Sequence, residues 1–123
     1  MNVQELYAAI GGDYEGAKSR LMNDKIISKF VVKYKNDPSY QQLVDAVAAQ
    51  DADGIFRASH TLKGVAANLA LTGIWQLANE ITEAYRPGNE AQKAALPLDE
   101  RMAQLTAIYN NTVEKLTEFE AQA

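Results

Sequence analysis

The stretch RASHTLKGVAANL, residues 57–69, holds the only histidine of the chain, His60, followed by Lys63 and Gly64. An ordinary imidazole is largely uncharged near neutral pH, so one ring nitrogen is available as a nucleophile. An ammonium three residues on sits one helical turn away and can pair with an anion once that anion is attached to the ring. The glycine needs its own reason, because glycine in a helix interior costs about 1 kcal/mol relative to alanine.

Helical geometry supplies that reason. At about 100° per residue, with Ile55 as the zero, Leu62, Ala66 and Leu69 fall within roughly 40° of one direction. Ala58 and Ser59 flank them, and together they make the core face. His60 falls roughly 140° away and points outward. Its neighbours at helical spacing are Phe56, Arg57, Lys63, Gly64 and Ala67, two of them small. A large side chain at position 64 would crowd the ring. The arrangement suits phosphoryl transfer to nitrogen, which depends mostly on positioning and on neutralising charge. The glycine loops that hold nucleotides are missing, and no convincing set of acidic magnesium ligands is legible. A partner would have to bring both.

Bulk composition narrows the field further. A length of 123 residues suits one domain with one core. Without cysteine and with one histidine, disulfides, thiolate chemistry and a multi-histidine metal site within the chain are excluded. A formal net charge of −4 argues against nucleic acid as the partner, although it leaves room for a local basic patch. No apolar run approaches the roughly 20 residues needed to span a membrane. The opening MNVQELYAAIGGD lacks a basic segment followed by an apolar one, which sets the expectation of a cytoplasmic protein.

The elements that must position His60 all read as helices. Residues 2–10 form a short apolar-periodic piece stopped by Gly11-Gly12, and Asp13 caps a second to about Met22. From Asp24 the stripe Ile26, Ile27, Phe30, Val31 and Tyr34 leads to Asp37-Pro38, a cap followed by proline at a first helical position. The stripe resumes with Tyr40, Leu43, Val44 and Val47 to about Gln50, so this is either one helix bent at Pro38 or two. Asp51 caps the helix that carries His60, to about Leu69. A turn at ALTG with Thr72 as cap opens a helix over 73–86 with Ile74, Leu77, Ala78, Ile81 and Tyr85 on one face. The stretch RPGNEAQKAALP is a long connection for a bundle. A final helix over about 98–121 carries Met102, Leu105, Tyr109, Val113, Leu116 and Phe119. The expected fold is all-α: an antiparallel four-helix bundle with additional short N-terminal helices.

Several residues carry a plain structural reading beside the chemical one. A histidine alone on a helix face is usually an ordinary surface residue; it is Lys63, Gly64 and the small-residue clearing that give His60 its interest. Gly64 facing away from the core argues against a role in close helix packing. Phe56 is either the edge of the core or part of a docking patch. Trp75 fits boundary packing, and Glu114, Glu118 and Glu120 fit a solvated face.

The segment ASHTLKGVAANLALTGIWQLANEI, residues 58–81, resembles the signature of histidine-containing phosphotransfer (HPt) domains of two-component phosphorelays, whose core pattern is His-x-Leu-Lys-Gly followed by small residues and a turn. The GGD stretch, the aromatic helix before Pro38 and AAQDADGIFRASH are similar to that family too. The likeness covers roughly residues 5–86, and the last helix only by pattern. It implies a single HPt-like helical domain over 1–123, expected to be monomeric. It implies a phosphocarrier without kinase or phosphatase activity of its own. His60 would accept a phosphoryl group from a receiver-domain aspartyl phosphate, or from a histidine kinase system, and pass it to another receiver aspartate. By position, Lys63 is the phosphate-side cation and Gly64 keeps the ring accessible. Apart from the resemblance, Phe56, Arg57 and Ala67 are candidates for a partner-docking face, by their places around His60 on the outer side of the helix. No cofactor or metal of its own is implied; Mg2+ belongs to the partner receiver. The partners implied are receiver domains and a (hybrid) histidine kinase, with neither nucleic acid nor membrane.

Two departures stand out. The family often has glycine where this chain has Ala70, and some members orient the histidine through a glutamine on the next helix. Here Asn79, Thr82 and Glu83 occupy that stretch, and the choice among them stays open. The competing reading, from another class, is a helical docking module that binds a receiver or kinase domain without cycling phosphate.

Overall fold

Side-chain caps start the early helices where short polar residues precede apolar ones. Asn2 accepts from the Glu5 amide at 2.8 Å while the Glu5 carboxylate accepts from the Asn2 amide, a reciprocal cap. Asp13, Asn23 and Asp51 each accept from the amide three residues on, at 3.0 Å. In the computed structural model, which describes residues 1–122, the resulting helices are α1 (Val3–Ile10), α2 (Tyr14–Leu21), α3 (Asp24–Lys33), α4 (Ser39–Ala48), α5 (Ala52–Asn68), α6 (Thr72–Tyr85), α7 (Glu90–Ala95) and α8 (Leu98–Ala121). No strand occurs among the described residues.

The chain breaks at Pro38 instead of bending through it. After α3 a 3-10 turn, Tyr34–Asn36, tightens the chain. Asp37 is then extended (φ −73°, ψ 129°), as a residue before proline must be. Its carboxylate accepts from the Ser39 amide at 2.9 Å and from the Ser39 hydroxyl, but the helix boundary falls one residue later than expected: Pro38 is the N-cap of α4 and not its first helical residue.

Helices α4, α5, α6 and α8 make the antiparallel bundle. Arg101 Nε of α8 reaches the Glu80 carboxylate of α6 at 2.9 Å, and Ile108 packs near Gly73, so the two helices run in opposite directions. Helix α8 closes onto α4 through Tyr40, which stacks on Tyr109 with centroids 3.7 Å apart and shares a hydrogen bond with Thr106 Oγ1 at 2.7 Å. Leu43, Leu62, Ile81 and Leu105 are fully buried in one core that continues to Leu6, Ile27 and Leu116. The second half of α8 extends past the bundle to α1, where Asn111 Nδ2 donates to Ala9 O at 3.0 Å.

The N-terminal helices fasten the α5–α6 turn, next to which the outward face of α5 ends. Buried Tyr7 donates its hydroxyl to Leu69 O at 2.8 Å, the Asp13 amide donates to Ala70 O at 2.8 Å, and the Gly73 amide donates to Gly11 O at 3.2 Å. Gly12 is required there: a Cβ on it would stand 2.7 Å from the Tyr7 ring.

Three further local expectations are corrected. Thr72 is the first helical residue of α6 and not its cap; Leu71 takes that position without a capping side chain, because the chain enters α6 directly from Ala70 in the left-handed region (φ 54°). The 86–97 connection contains α7, held at its start by Asn89 donating to Glu83 O at 2.8 Å. On α8 the buried stripe is completed by Thr112, whose hydroxyl donates to Ile108 O at 2.8 Å and so is satisfied without an outside partner.

Candidate functional site

Helix α5 sets its sides as its sequence periodicity requires. Ile55, Ala58, Ser59, Leu62 and Ala66 are buried, while His60 is exposed. Nothing lies within 4 Å of where a Cβ on Gly64 would stand, so the space one turn beyond the imidazole is open. No other atom of the fold needs that glycine to be small. Its cost to the helix is therefore offset nowhere in the packing of this chain.

One turn before His60, Phe56 is half-buried and its ring lies 5.9 Å from the imidazole, tilted by 35°. The Arg86 guanidinium, at the end of α6, lies over the same phenyl ring at 5.5 Å. Arg86 also donates from Nε and Nη2 to Glu83 Oε2 at 3.0 and 2.6 Å. That hydrogen bond holds the Glu83 carboxyl below the usual carboxylate range, and Lys63 and His60 add to the pull by charge. The half-buried Lys63 and the exposed His60 of α5 thus share a rim with Glu83 and Arg86 of α6.

The structure gathers Phe56, His60, Lys63 and Gly64 on the side of α5 nearest α6 or facing solvent. Arg57 lies on the opposite flank, exposed over a hollow shared with Gln42 and Asp45 of α4. Ala67 is half-buried two turns along, beside Ala70 and Trp75. Of the three residues open as ring orienters, Thr82 is removed: it is fully buried and donates to Ala78 O at 2.7 Å. The imidazole forms no hydrogen bond among the described residues, and the Glu83 carboxylate is taken up by Arg86.

Arg86 was not singled out by spacing, because RPGN reads as a helix stop. The signal for it was the separation of three between Glu83 and Arg86, which pairs them on one helix face. The chemistry available to the cluster is a solvent-facing nucleophilic nitrogen beside a cation, with an unobstructed approach.

Among the described residues no helix is long and apolar enough to cross a membrane, and no group of three or more His, Cys, Asp or Glu converges. No curated protein and no solved structure matches the chain significantly. A family model does match it, that of the Hpt domain, over residues 36–118, from the break before α4 to the last turns of α8. Family membership implies histidine phosphotransfer in two-component signalling, with receiver domains and histidine kinases as the interacting class, and a carrier instead of an enzyme. With that span covering all four bundle helices and the His60 face, this chain belongs to the Hpt domain family.

Proposed function

We propose that the protein is a cytoplasmic, monomeric phosphorelay intermediate that carries a phosphoryl group on His60. The observation that carries this reading is the exposed imidazole beside open space at Gly64, on the helix at the centre of the family match. The uncharged ring nitrogen attacks phosphorus of a receiver's aspartyl phosphate. A P–N bond forms, the P–O bond of the mixed anhydride breaks, and the aspartate leaves as carboxylate. The other ring nitrogen keeps its proton during the attack. Transfer to the next receiver reverses these events on a new carboxylate. Lys63, one helical turn along α5, supplies a cation for the attached group, while Mg2+ and the acidic pocket that holds it belong to the receiver.

The test is incubation of the purified protein with a phosphorylated receiver domain and Mg2+, followed by intact-mass analysis at neutral to basic pH, where a phosphohistidine bond survives. The reading expects a gain of one acid-labile phosphoryl group that disappears in His60→Gln. Receivers that bind wild type and His60→Gln equally, with no mass gain in either, would make the protein a docking module instead.

A further inference from the structure

A second hollow of the fold lies away from the imidazole. Between α2–α3 and the C-terminal end of α5 a groove of about 620 Å³ is lined by Leu21, Phe30, Tyr34, Val65 and Leu69. Phe30 is 42% exposed, high for a large apolar side chain, and Met22 at the α2–α3 junction is 77% exposed. Arg20 and Lys33 line the same groove. Lys33 and Lys29 both lie over the Phe30 ring, at 5.4 and 6.0 Å.

Charge sets this region apart. Between Lys18 and Lys35 stand six of the chain's 12 basic residues and one acidic residue, in a protein whose formal net charge is −4. That acid, Asp24, already accepts from the Tyr14 hydroxyl at 2.6 Å. Arg20, Lys29 and Lys33 make no ion pair among the described residues. The one carboxylate lining the groove, Asp37, is occupied by the Ser39 amide and hydroxyl.

We infer that this groove is a docking site for an apolar side chain flanked by acidic residues on the protein that exchanges phosphate with His60. The partner's identity rests on the phosphocarrier reading; the groove's chemistry does not. Two features favour a protein over a lipid surface. The site is a concavity that takes a protruding side chain, and its wall includes Asn36, Asp37 and Asn68, which would be desolvated against acyl chains without return. Position favours joint use with the imidazole: Val65 and Asn68 stand five and eight residues past His60, about 8 and 12 Å along α5. Open Gly64 lies between. The wall formed by residues 20–34 precedes the family-matched segment, which begins at residue 36. Phosphate exchange and partner choice are thereby placed on different parts of the chain, and charge at the groove rim sets the choice.

The test uses two synthetic helical peptides that share a Leu/Phe face and differ only in carrying glutamates or lysines on its flanks. Each is titrated into the 15N-labelled protein up to millimolar concentration. The inference expects the Glu-flanked peptide to shift the amides of Phe30, Lys33, Val65 and Asn68, and to bind about tenfold tighter than its Lys-flanked twin at low salt. Arg20→Glu with Lys33→Glu, both exposed or rim positions, should reverse that preference, and Phe30→Ser should weaken both peptides. Equal binding of the two peptides, shifts confined to other surfaces, or no shift at all overturns it. Tighter binding to phosphatidylglycerol vesicles than to the Glu-flanked peptide overturns it in favour of a lipid. The titration needs no phosphoryl group, so failure of His60 to take up phosphate and failure of the groove to bind are separate results.

Discussion

The Phe56 ring stands 5.9 Å from the His60 ring and takes the Arg86 guanidinium over itself at 5.5 Å, so the imidazole is bordered by a side chain that α6 holds in place. We propose on this ground that Phe56 positions the imidazole. Phe56→Leu keeps most of the apolar volume and removes the flat surface, so stability should change by less than about 1.5 kcal/mol. Transfer to or from a receiver should slow roughly tenfold, because misplacing a reacting group is costly in rate. Urea denaturation and single-turnover transfer measured on the same preparation decide it. An unchanged rate would leave Phe56 as core edge only.

Lys63 shares the rim with Glu83 and His60 and makes no ion pair of its own among the described residues. Removing a partly exposed lysine should alter stability by no more than about 0.5 kcal/mol. The phosphoryl group would lose a cation one helical turn away, and transfer should fall about tenfold or more. Lys63→Ala and Lys63→Arg compared by transfer rate and by melting temperature test the role. Equal rates in all three proteins would remove it.

Gly64 separates stability from activity. Since no atom lies within 4 Å of a Cβ there, side chains at 64 fit without disturbing the fold and recover the helix propensity that glycine lacks, about 0.5–1 kcal/mol. Gly64→Ala should raise the melting temperature with little effect on transfer. Gly64→Gln should also be at least as stable as wild type by circular dichroism, yet slow transfer by crowding the approach to His60. Unfolding of either variant would contradict the open geometry.

What the sequence made legible was whatever periodicity and caps control. The core face of α5, the outward direction of His60 and the start and end of α8 follow from apolar spacing, and the structure has them at those positions. Pairings between helices were not legible. Arg86 meets Phe56 only because α6 runs back along α5, and no spacing within one helix encodes that contact. The basic, apolar-lined groove was hidden for the same reason: Phe30 read as one more member of a core stripe, but α3 packs so that Phe30 is left 42% exposed. Helix α7 was masked by the Pro87-Gly88 stop before it, and six residues carry too little periodicity to announce a helix.

Ala70 is a place where the chain departs from good local chemistry. It sits at φ 54°, in the left-handed region that costs a residue with a Cβ about 1 kcal/mol. The surroundings hold it there, with its carbonyl accepting from the Asp13 amide at 2.8 Å. Ala70→Gly should therefore stabilise the protein by about 0.5 kcal/mol after the loss of a partly buried methyl, without changing transfer at His60. A lower urea midpoint would show that the methyl's packing outweighs the backbone relief.

Two buried tyrosines differ in one respect, and that difference fixes opposite signs for the same substitution. Tyr7 donates its hydroxyl to Leu69 O at 2.8 Å, whereas the Tyr34 hydroxyl is buried with no partner. Tyr7→Phe leaves a buried carbonyl short of a donor and should cost about 1 kcal/mol; Tyr34→Phe removes an unsatisfied polar group and should gain about that much. Burial pushes both phenols well above their ordinary value near 10, with Tyr109 adding to the effect at Tyr34. Because the folded-state values are raised, their contribution to stability is intact below about pH 10 and is lost as pH rises beyond it. Alkaline unfolding should then be cooperative, with the phenolate absorbance of Tyr7 and Tyr34 appearing together with loss of helix by circular dichroism. Tyr34→Phe should shift that transition to higher pH. Phenolate signal from all six tyrosines well before helix is lost would mean that neither ring is shielded as its burial requires.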